Sequence, residues 1–422
     1  MSSNGERPEQ LPLSNFQISL LIGGGVVAAS QIGKAAITIS AIRTEMSLSY
    51  SLAGLIVAIF ATLGALFGIG AGAFVSRIGV RTAMILGMFL ISLGSFLGAL
   101  AADGNTLLIA RFAEGVGFFG VVLSVPTALA QGAQGAKRDF VMAIWSAYMP
   151  FGIMIFLALG PLIPIIGWRE LWLIDALVAL IYAIAMIAKA PNAAPTTPVH
   201  VIRFFSGVRL VAQDTRCLAL AGAFFAYSCQ IFSLAFALPL LLTATYGKSV
   251  GTAGLLSAAV LLISTAGHLS SGFLLRKGIP IWQLLFGAFL VFSFSSVAVY
   301  DLSLSAVAVA LVAAMTLGFG GVAPGALYAA APQAARDAAS VPTTIGLLQQ
   351  ASNLGQFAGP FSLGLCAEHF GWISAPLVMT PIAIVGLFLS LLIRRVLENH
   401  TGAKDVSRGG AVIVAAEATS PV

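Results

Sequence analysis

Three ionisable side chains, Lys34, Arg111 and Glu114, stand inside long apolar runs of this 422-residue sequence. A charge held in such a run is costly, so it marks a functional site by default. Gln31, Lys34 and Thr38 recur at i, i+3 and i+7 and share one helical face. That face is expected to look into a polar cavity rather than at lipid. Arg111 and Glu114 lie one turn apart, and Glu114 reads as the acid inside a span, hence the candidate proton carrier. Further along, His268 shares a face with Ser264 and Ser271, and Gln349, Asn353 and Gln356 form a polar stripe beside Gln350. Tyr227 with Gln230, and Trp145 with Tyr148, make two more one-face pairs. These types can orient a polar solute by ion pairs, amide hydrogen bonds and aromatic contact. They can equally bond helix to helix, and His268 can be a packed imidazole tied to one hydroxyl. No phosphate-binding loop, catalytic triad or paired-carboxylate set occurs. Cys217, Cys229 and Cys366 form no CxxC pair, and no Cys/His cluster exists. Neither a cofactor nor a metal is expected, and the chain is not read as an enzyme.

The elements that position these residues are long and apolar. Hydrophobic residues make up 59% and charged residues 9%, against about 25% charged in a soluble domain. Too little charge remains to wet a soluble globule, which excludes a soluble enzyme and a nucleic-acid binder. Apolar stretches of bilayer-spanning length fall near 16–42, 50–75, 82–101, 106–131, 140–166 and 170–188. They resume near 216–245, 250–275, 280–300, 302–332, 341–367 and 373–393. The expected organisation is an N-terminal tail (1–15), a six-helix bundle (16–188), and a linker (189–215) with a basic amphipathic stretch. A second six-helix bundle (216–395) and a disordered tail (396–422) follow. With the N-terminus cytoplasmic, 16 of the 21 basic residues fall on the cytoplasmic side, three on the other side and two inside spans. Basic residues concentrate on the inner side of membrane proteins, so both termini are expected in the cytoplasm and the chain in a cell (inner) membrane.

The halves echo one another. Span four carries Gly117-Phe-Phe-Gly120 and Pro126; span ten carries Gly318-Phe-Gly-Gly321 and Pro324. Span five has Gly160-Pro161 and then Gly167-Trp168; span eleven has Gly359-Pro360 and then Gly371-Trp372. The matches keep their order six spans apart. Duplicated halves of this kind place a substrate site near the bilayer midplane, between them.

Several of these residues carry a family likeness. Gly72-xxxx-Arg77-x-Gly79-x-Arg81 resembles the loop between spans two and three of the major facilitator superfamily, and Arg111-Phe-Ala-Glu114-Gly115-Val-Gly117 is similar to its span-four motif. Gly152 through Gly160-Pro161 is similar to the span-five motif of its antiporters, and Gly346, Gly355 and Gly359-Pro360 repeat that pattern in span eleven. Where the family commonly has an Asp before the first Arg of the loop motif, this chain has Ser76. Trp145 to Gly152 resembles cyanate-porter and organic-anion members. The resemblance implies an all-α membrane protein of twelve transmembrane helices in two pseudo-symmetric six-helix bundles.

It further implies that spans one and four adjoin the central cavity. Lys34, Arg111 and Glu114 would then form one cluster of net charge +1, favouring an anionic substrate. The structural alternative is that Lys34 pairs with Glu114 while Arg111 bonds backbone carbonyls. The expected substrate contacts are Lys34, Gln31, Arg111, Tyr148, Tyr227, Gln230, His268, Gln349 and Asn353. Gly72, Arg77, Gly79, Arg81, Gly160, Pro161, Gly359 and Pro360 are the expected conformational residues. The sequence thus points to a monomeric secondary active transporter of a small organic anion, working by alternating access and driven by a proton or a counter-substrate. Efflux of drug-like compounds is the second reading, and a membrane sensor or membrane-embedded enzyme the third.

Overall fold

The computed structural model describes residues 13–69, 78–133, 147–191, 211–337 and 340–417, together with 137, 141, 142, 144, 145 and 209. Gly72, Ser76 and Arg77, and the amphipathic stretch of the linker, lie outside these residues.

The N-terminal half comprises α1 (Asn15–Glu45), α2 (Tyr50–Phe67), α3 (Val80–Ala99), α4 (Gly104–Gly132), α5 (Tyr148–Ile166) and α6 (Trp168–Lys189). The C-terminal half comprises α7 (Thr215–Thr245), α8 (Val250–Arg276), α9 (Ile281–Ala298), α10 (Ala306–Ala334), α11 (Val341–Phe370) and α12 (Pro376–Glu417). Helix starts follow local chemistry. Ser14 and Gln17 form a reciprocal capping box at α1, and Ser49, Asp103, Ser249 and Ser305 cap α2, α4, α8 and α10. Gly79, with φ +86°, turns the chain into α3, a conformation that suits glycine.

Among the described residues, eleven helices are long and apolar enough to cross a bilayer. The other, α11, has 30 residues, but Gln349, Gln350, Asn353 and Gln356 dilute its apolarity. The last helix runs to Glu417, past Arg395, so most of the expected disordered tail is helical. No proline interrupts the chain between Pro381 and Pro421.

Helices α3 and α6 pack chiefly within their own half, against α4, α1 and each other. The halves meet through two equivalent pairs, α2 against α11 and α5 against α8. Both Gly-Pro steps lie on these seams. A Cβ on Gly54 of α2 would meet the carbonyl of Pro360 at 2.5 Å, and one on Gly254 of α8 would meet Leu157 O at 2.5 Å and Gly160 Cα at 3.1 Å. Glycine is what lets backbones approach so closely. Away from the termini, Ser40 and Thr243 hydroxyls lie 3.1 Å apart, Ser51 N–H donates to Glu368 at 2.8 Å, and Tyr50 meets Trp372 edge-on. That end of the molecule is therefore closed across the halves.

Candidate functional site

Lys34 is fully buried, as are Gln31, Ser95, Arg111 and Glu114. The Lys34 ammonium donates to Gln31 Oε1 (2.5 Å), Ser95 Oγ (2.6 Å), Glu114 Oε1 (2.7 Å) and Asp175 Oδ2 (2.9 Å). An ammonium has three protons, so these four acceptors share them. Ser95 Oγ lies 2.9 Å from Glu114 Oε1 and 3.0 Å from Asp175 Oδ2 and can donate to either carboxylate. The indole of Trp172 flanks the ammonium, its ring centre 4.3 Å away, and gives its own N–H to Thr38 at 3.2 Å.

Arg111 closes the other side of the cluster. Its Nη1 pairs with Glu114 Oε2 and donates to Gln31 O at 3.1 Å; its Nε donates to Ile56 O at 3.3 Å. One guanidinium thus ties α4 to α1 and α2, lying over the Phe60 ring at 5.1 Å. Its Nη2 is buried and has no hydrogen-bond partner among the described residues.

The structure therefore brings Lys34, Gln31, Arg111 and Glu114 together, as the sequence led us to expect. It differs in two respects. Asp175, on α6 and 4% exposed, joins the cluster, so Glu114 is not the one acid inside a span. Two formal positive charges face two negative ones, and the net charge is zero instead of +1. Secondly, the ammonium points into the interior of its own bundle, among α1, α3, α4 and α6, and does not line an open vestibule. The physical reason is desolvation. An unpaired buried charge is prohibitive, and two carboxylates reached from α4 and α6 lower that cost where water cannot. Asp175 was legible as an acid seven residues into α6, far beyond the first turn where Glu170 sits.

The remaining expected contacts separate into two groups. Tyr148 stacks on Trp145 with ring centres 4.2 Å apart at 12°. Tyr227 Oη lies 3.5 Å from His268 Nε2, whose Nδ1 is 2.8 Å from Ser264 O. Tyr328, which the sequence reading passed over, donates to Gln349 Oε1 at 2.6 Å and packs edge-on against Phe224. Gln230 belongs elsewhere: its amide donates to Met379 O at 2.5 Å and so fastens α7 to α12. Asn353 donates to Gln349 O on its own helix at 2.8 Å and abuts Gly64 of α2. Gln350 crosses between halves, donating to Ala65 O (2.9 Å) and Leu66 O (3.3 Å) and accepting from Ile69 N–H (3.2 Å). It caps the end of α2, where the helical ladder stops. Arg81 donates to Ile187 O at 2.6 Å, joining the start of α3 to the end of α6.

No group of three or more metal-ligating side chains occurs among the described residues. Among the described residues, the cluster joins α1, α3, α4 and α6 by ion pairs and hydrogen bonds.

Among the described residues, twelve long helices in two equivalent halves, with glycine seams and a buried charge cluster, define a membrane carrier. The chain belongs to the Major Facilitator Superfamily, whose family model matches residues 20–341 and 220–417, and it is a transporter rather than an enzyme. Among characterised folds it is similar to a bacterial homologue of the human lysosomal transporter Spinster. The TM-score is 0.77 for the inward-facing unoccupied form, at 17% identity over 94% of this chain and 99% of that one. It is 0.75 for the inward-facing occupied form, over 90% and 96%. At that identity the likeness concerns the fold alone. In sequence, the chain is 29% identical over 181 residues to the uncharacterized MFS-type transporter EfpA of Mycobacterium tuberculosis, 41% of this chain and 33% of that protein. It is 27% identical over 140 residues to the 4-hydroxybenzoate transporter PcaK of Pseudomonas aeruginosa, 32% and 30% of the two chains. The matched part spans about a third of the length of these relatives.

Proposed function

We propose that this transporter moves a small organic anion, carboxylate-like, by alternating access, together with a proton. The observation that supports the reading is the Nη2 of Arg111, buried and without a hydrogen-bond partner among the described residues, within an otherwise paired cluster of zero formal charge; the cluster is closed off in this arrangement, so the reading requires that it be uncovered as the helices rearrange. A substrate carboxylate is the complement of that donor. Bringing one negative charge into a neutral, water-poor site favours the arrival of one positive charge with it. Glu114 and Asp175 are the groups that can accept it as a proton. Anion and proton therefore bind as a pair, and the gradient of one drives the other. Lys34 acts in this scheme by holding both carboxylates, with Gln31 and Ser95 sharing its protons. Tyr148, Tyr227, Tyr328, His268 and Gln349 supply the aromatic and polar lining, which suits a ring-bearing acid such as the substrate named for PcaK. Gly160, Pro161, Gly359 and Pro360 act as the moving seams. The protein works as a monomer in the inner membrane with both termini cytoplasmic, consistent with its basic residues.

The test is binding by the purified full chain. Benzoate and 4-hydroxybenzoate are expected to raise its unfolding temperature, more at pH 5.5 than at pH 7.5, with about one proton taken up per anion in weak buffer. Stabilisation by drug-like cations such as ethidium, with none by carboxylates, would overturn the reading. That outcome would favour a second reading, efflux, which the uncharged aromatic lining and the partial likeness to EfpA support.

A further inference from the structure

Glu368 stands in the last turn of α11, the wrong end of its own helix for an acid. The carbonyl end of a helix carries partial negative charge and favours cations. The carboxylate crosses to the N-terminal half instead and accepts from the Ser51 N–H of α2 at 2.8 Å. That N–H is one of the first-turn donors a helix cannot satisfy from within; Ser49 already serves Leu52 N–H, at 3.2 Å. Charge and dipole are therefore matched across the halves and mismatched within the half. Gly364, one turn earlier on α11, brings α2 so close that an added Cβ would lie 2.5 Å from Tyr50 O.

The duplicated Gly-Trp turns differ at this same end. Trp168 Nε1 donates to Glu45 Oε2 at 2.6 Å, a bond inside its own half. Its counterpart Trp372 is 7% exposed, and its Nε1 is buried without a hydrogen-bond partner among the described residues. Trp372 meets Tyr50 of the other half edge-on, ring centres 5.3 Å apart, and the Arg43 guanidinium lies over Tyr50 at 4.1 Å. Tyr300 stacks on Trp372 within the C-terminal half. A buried donor left unpaired is unfavourable, and water can meet it once the aromatic contact parts. The first indole is built into its half; the second is pressed against the opposite half at a cost.

We propose that Glu368 is the latch of a gate at the end away from the chain termini, and that Trp372 is the plug it holds in place. Closed, the carboxylate complements the start of α2. Open, it is left at the carbonyl end of α11, while the Trp372 N–H gains water. The first effect favours closure and the second favours opening, so losing the latch leaves the gate biased toward opening. The equivalent α5–α8 seam meets at this end through Gly251 and the backbone of Pro161. The inference rests on the alternating access proposed above but involves neither the anion nor the proton.

Hydrogen exchange of the purified full-length protein in dodecyl maltoside tests it, with no ligand added. In Glu368→Ala, exchange at residues 50–53 is expected to quicken about fivefold, the effect of one lost capping bond. Exchange should quicken also at residues 160–166 and 241–246, at the same end but outside the Glu368–Ser51 contact. Glu368→Gln, which keeps an acceptor without the charge, is expected to fall between. The fluorescence component lost in Trp372→Phe should become quenchable by acrylamide in Glu368→Ala. Exchange that is unchanged, or faster only at residues 50–53, would overturn the latch, and a Trp372 component still shielded would overturn the plug. Failure here leaves the anion-binding test standing, and failure of that test leaves this one standing.

Discussion

Asp175 Oδ2 lies 2.9 Å from Lys34 Nζ, so the sixth helix supplies the second counter-charge to an ammonium on the first. Glu114, at 2.7 Å, supplies the other while also pairing with Arg111. Removing one member therefore strands another. Lys34→Ala leaves two acids against one base and is expected to cost about 3–5 kcal/mol and to abolish anion uptake. Lys34→Ala combined with Asp175→Ala removes one charge of each sign and should recover part of that stability. Thermal unfolding in detergent of Lys34→Ala, Asp175→Ala and the double variant checks the pairing. A double variant losing the sum of the single losses would show that the two residues act independently.

Glu114→Gln fixes one carboxyl in a form without charge. The proposed anion–proton pairing then gives a definite outcome: anion binding persists at pH 7.5, and proton uptake on binding falls toward zero. Thermal shift with benzoate across pH 5.5–7.5 measures it, and an unchanged pH profile would remove Glu114 from coupling.

The seam between α5 and α8 makes a different kind of prediction. A side chain at Gly254 would run into Leu157 O at 2.5 Å and Gly160 Cα at 3.1 Å, both of them backbone. Gly254→Val is expected to cost about 1–3 kcal/mol in this closed arrangement and to shift the population toward opening at the end away from the termini. A cysteine placed at Thr243 should become more reactive in that variant than in its absence.

Gln350 is the counterpart near the end of α2. Gln350→Ala removes its bonds to Ala65 O, Leu66 O and Ile69 N–H. Two of these bonds are part-buried and the one to Leu66 O is exposed, so the loss is expected near the lower end of about 1–3 kcal/mol per unsatisfied group, and the α2–α11 contact should loosen. Spin-label distances between the ends of these helices are expected to lengthen; an unaltered distribution would count against a latch.

The acid side of the stability curve rests partly on Asp214, outside the spans. Its hydrogen bonds to Arg216, with Arg336 3.4 Å away, hold its carboxyl down at about 2, below the ordinary 3.8. A depressed carboxyl contributes stability above its unfolded value and loses it as pH falls through the folded one. Asp214→Asn should therefore remove roughly 1–2 kcal/mol at pH 7 and flatten the loss seen between pH 4 and pH 2.

The helices, the duplication and most of the charge cluster were legible because lipid leaves few options. A span must be apolar, and a charge within it stands out, as Lys34, Arg111 and Glu114 did. Asp175 stood out equally by type, yet the sequence reading passed over it and took Glu114 as the acid inside a span. Nothing in the spacing along one helix tells which way a long side chain leans. Lys34 was expected on a cavity face because its neighbours Gln31 and Thr38 share it; instead that face meets α3, α4 and α6. Gln230 shows the same limit, since its amide found a carbonyl on α12 rather than a solute. Tyr328 was masked by the glycine and alanine around it, which read as packing alone.

The four amides of α11 also bear on how the protein is made. As it leaves the ribosome, this segment would partition poorly into lipid by itself, since each amide brings unsatisfied donors into the bilayer. Helices α2 and α10 are synthesised earlier and already offer partners: the Ala65 and Leu66 carbonyls to Gln350, and the Tyr328 hydroxyl, which donates to Gln349 Oε1. The eleventh helix is therefore expected to enter the membrane by docking on helices already in place, with its amides met by protein instead of lipid.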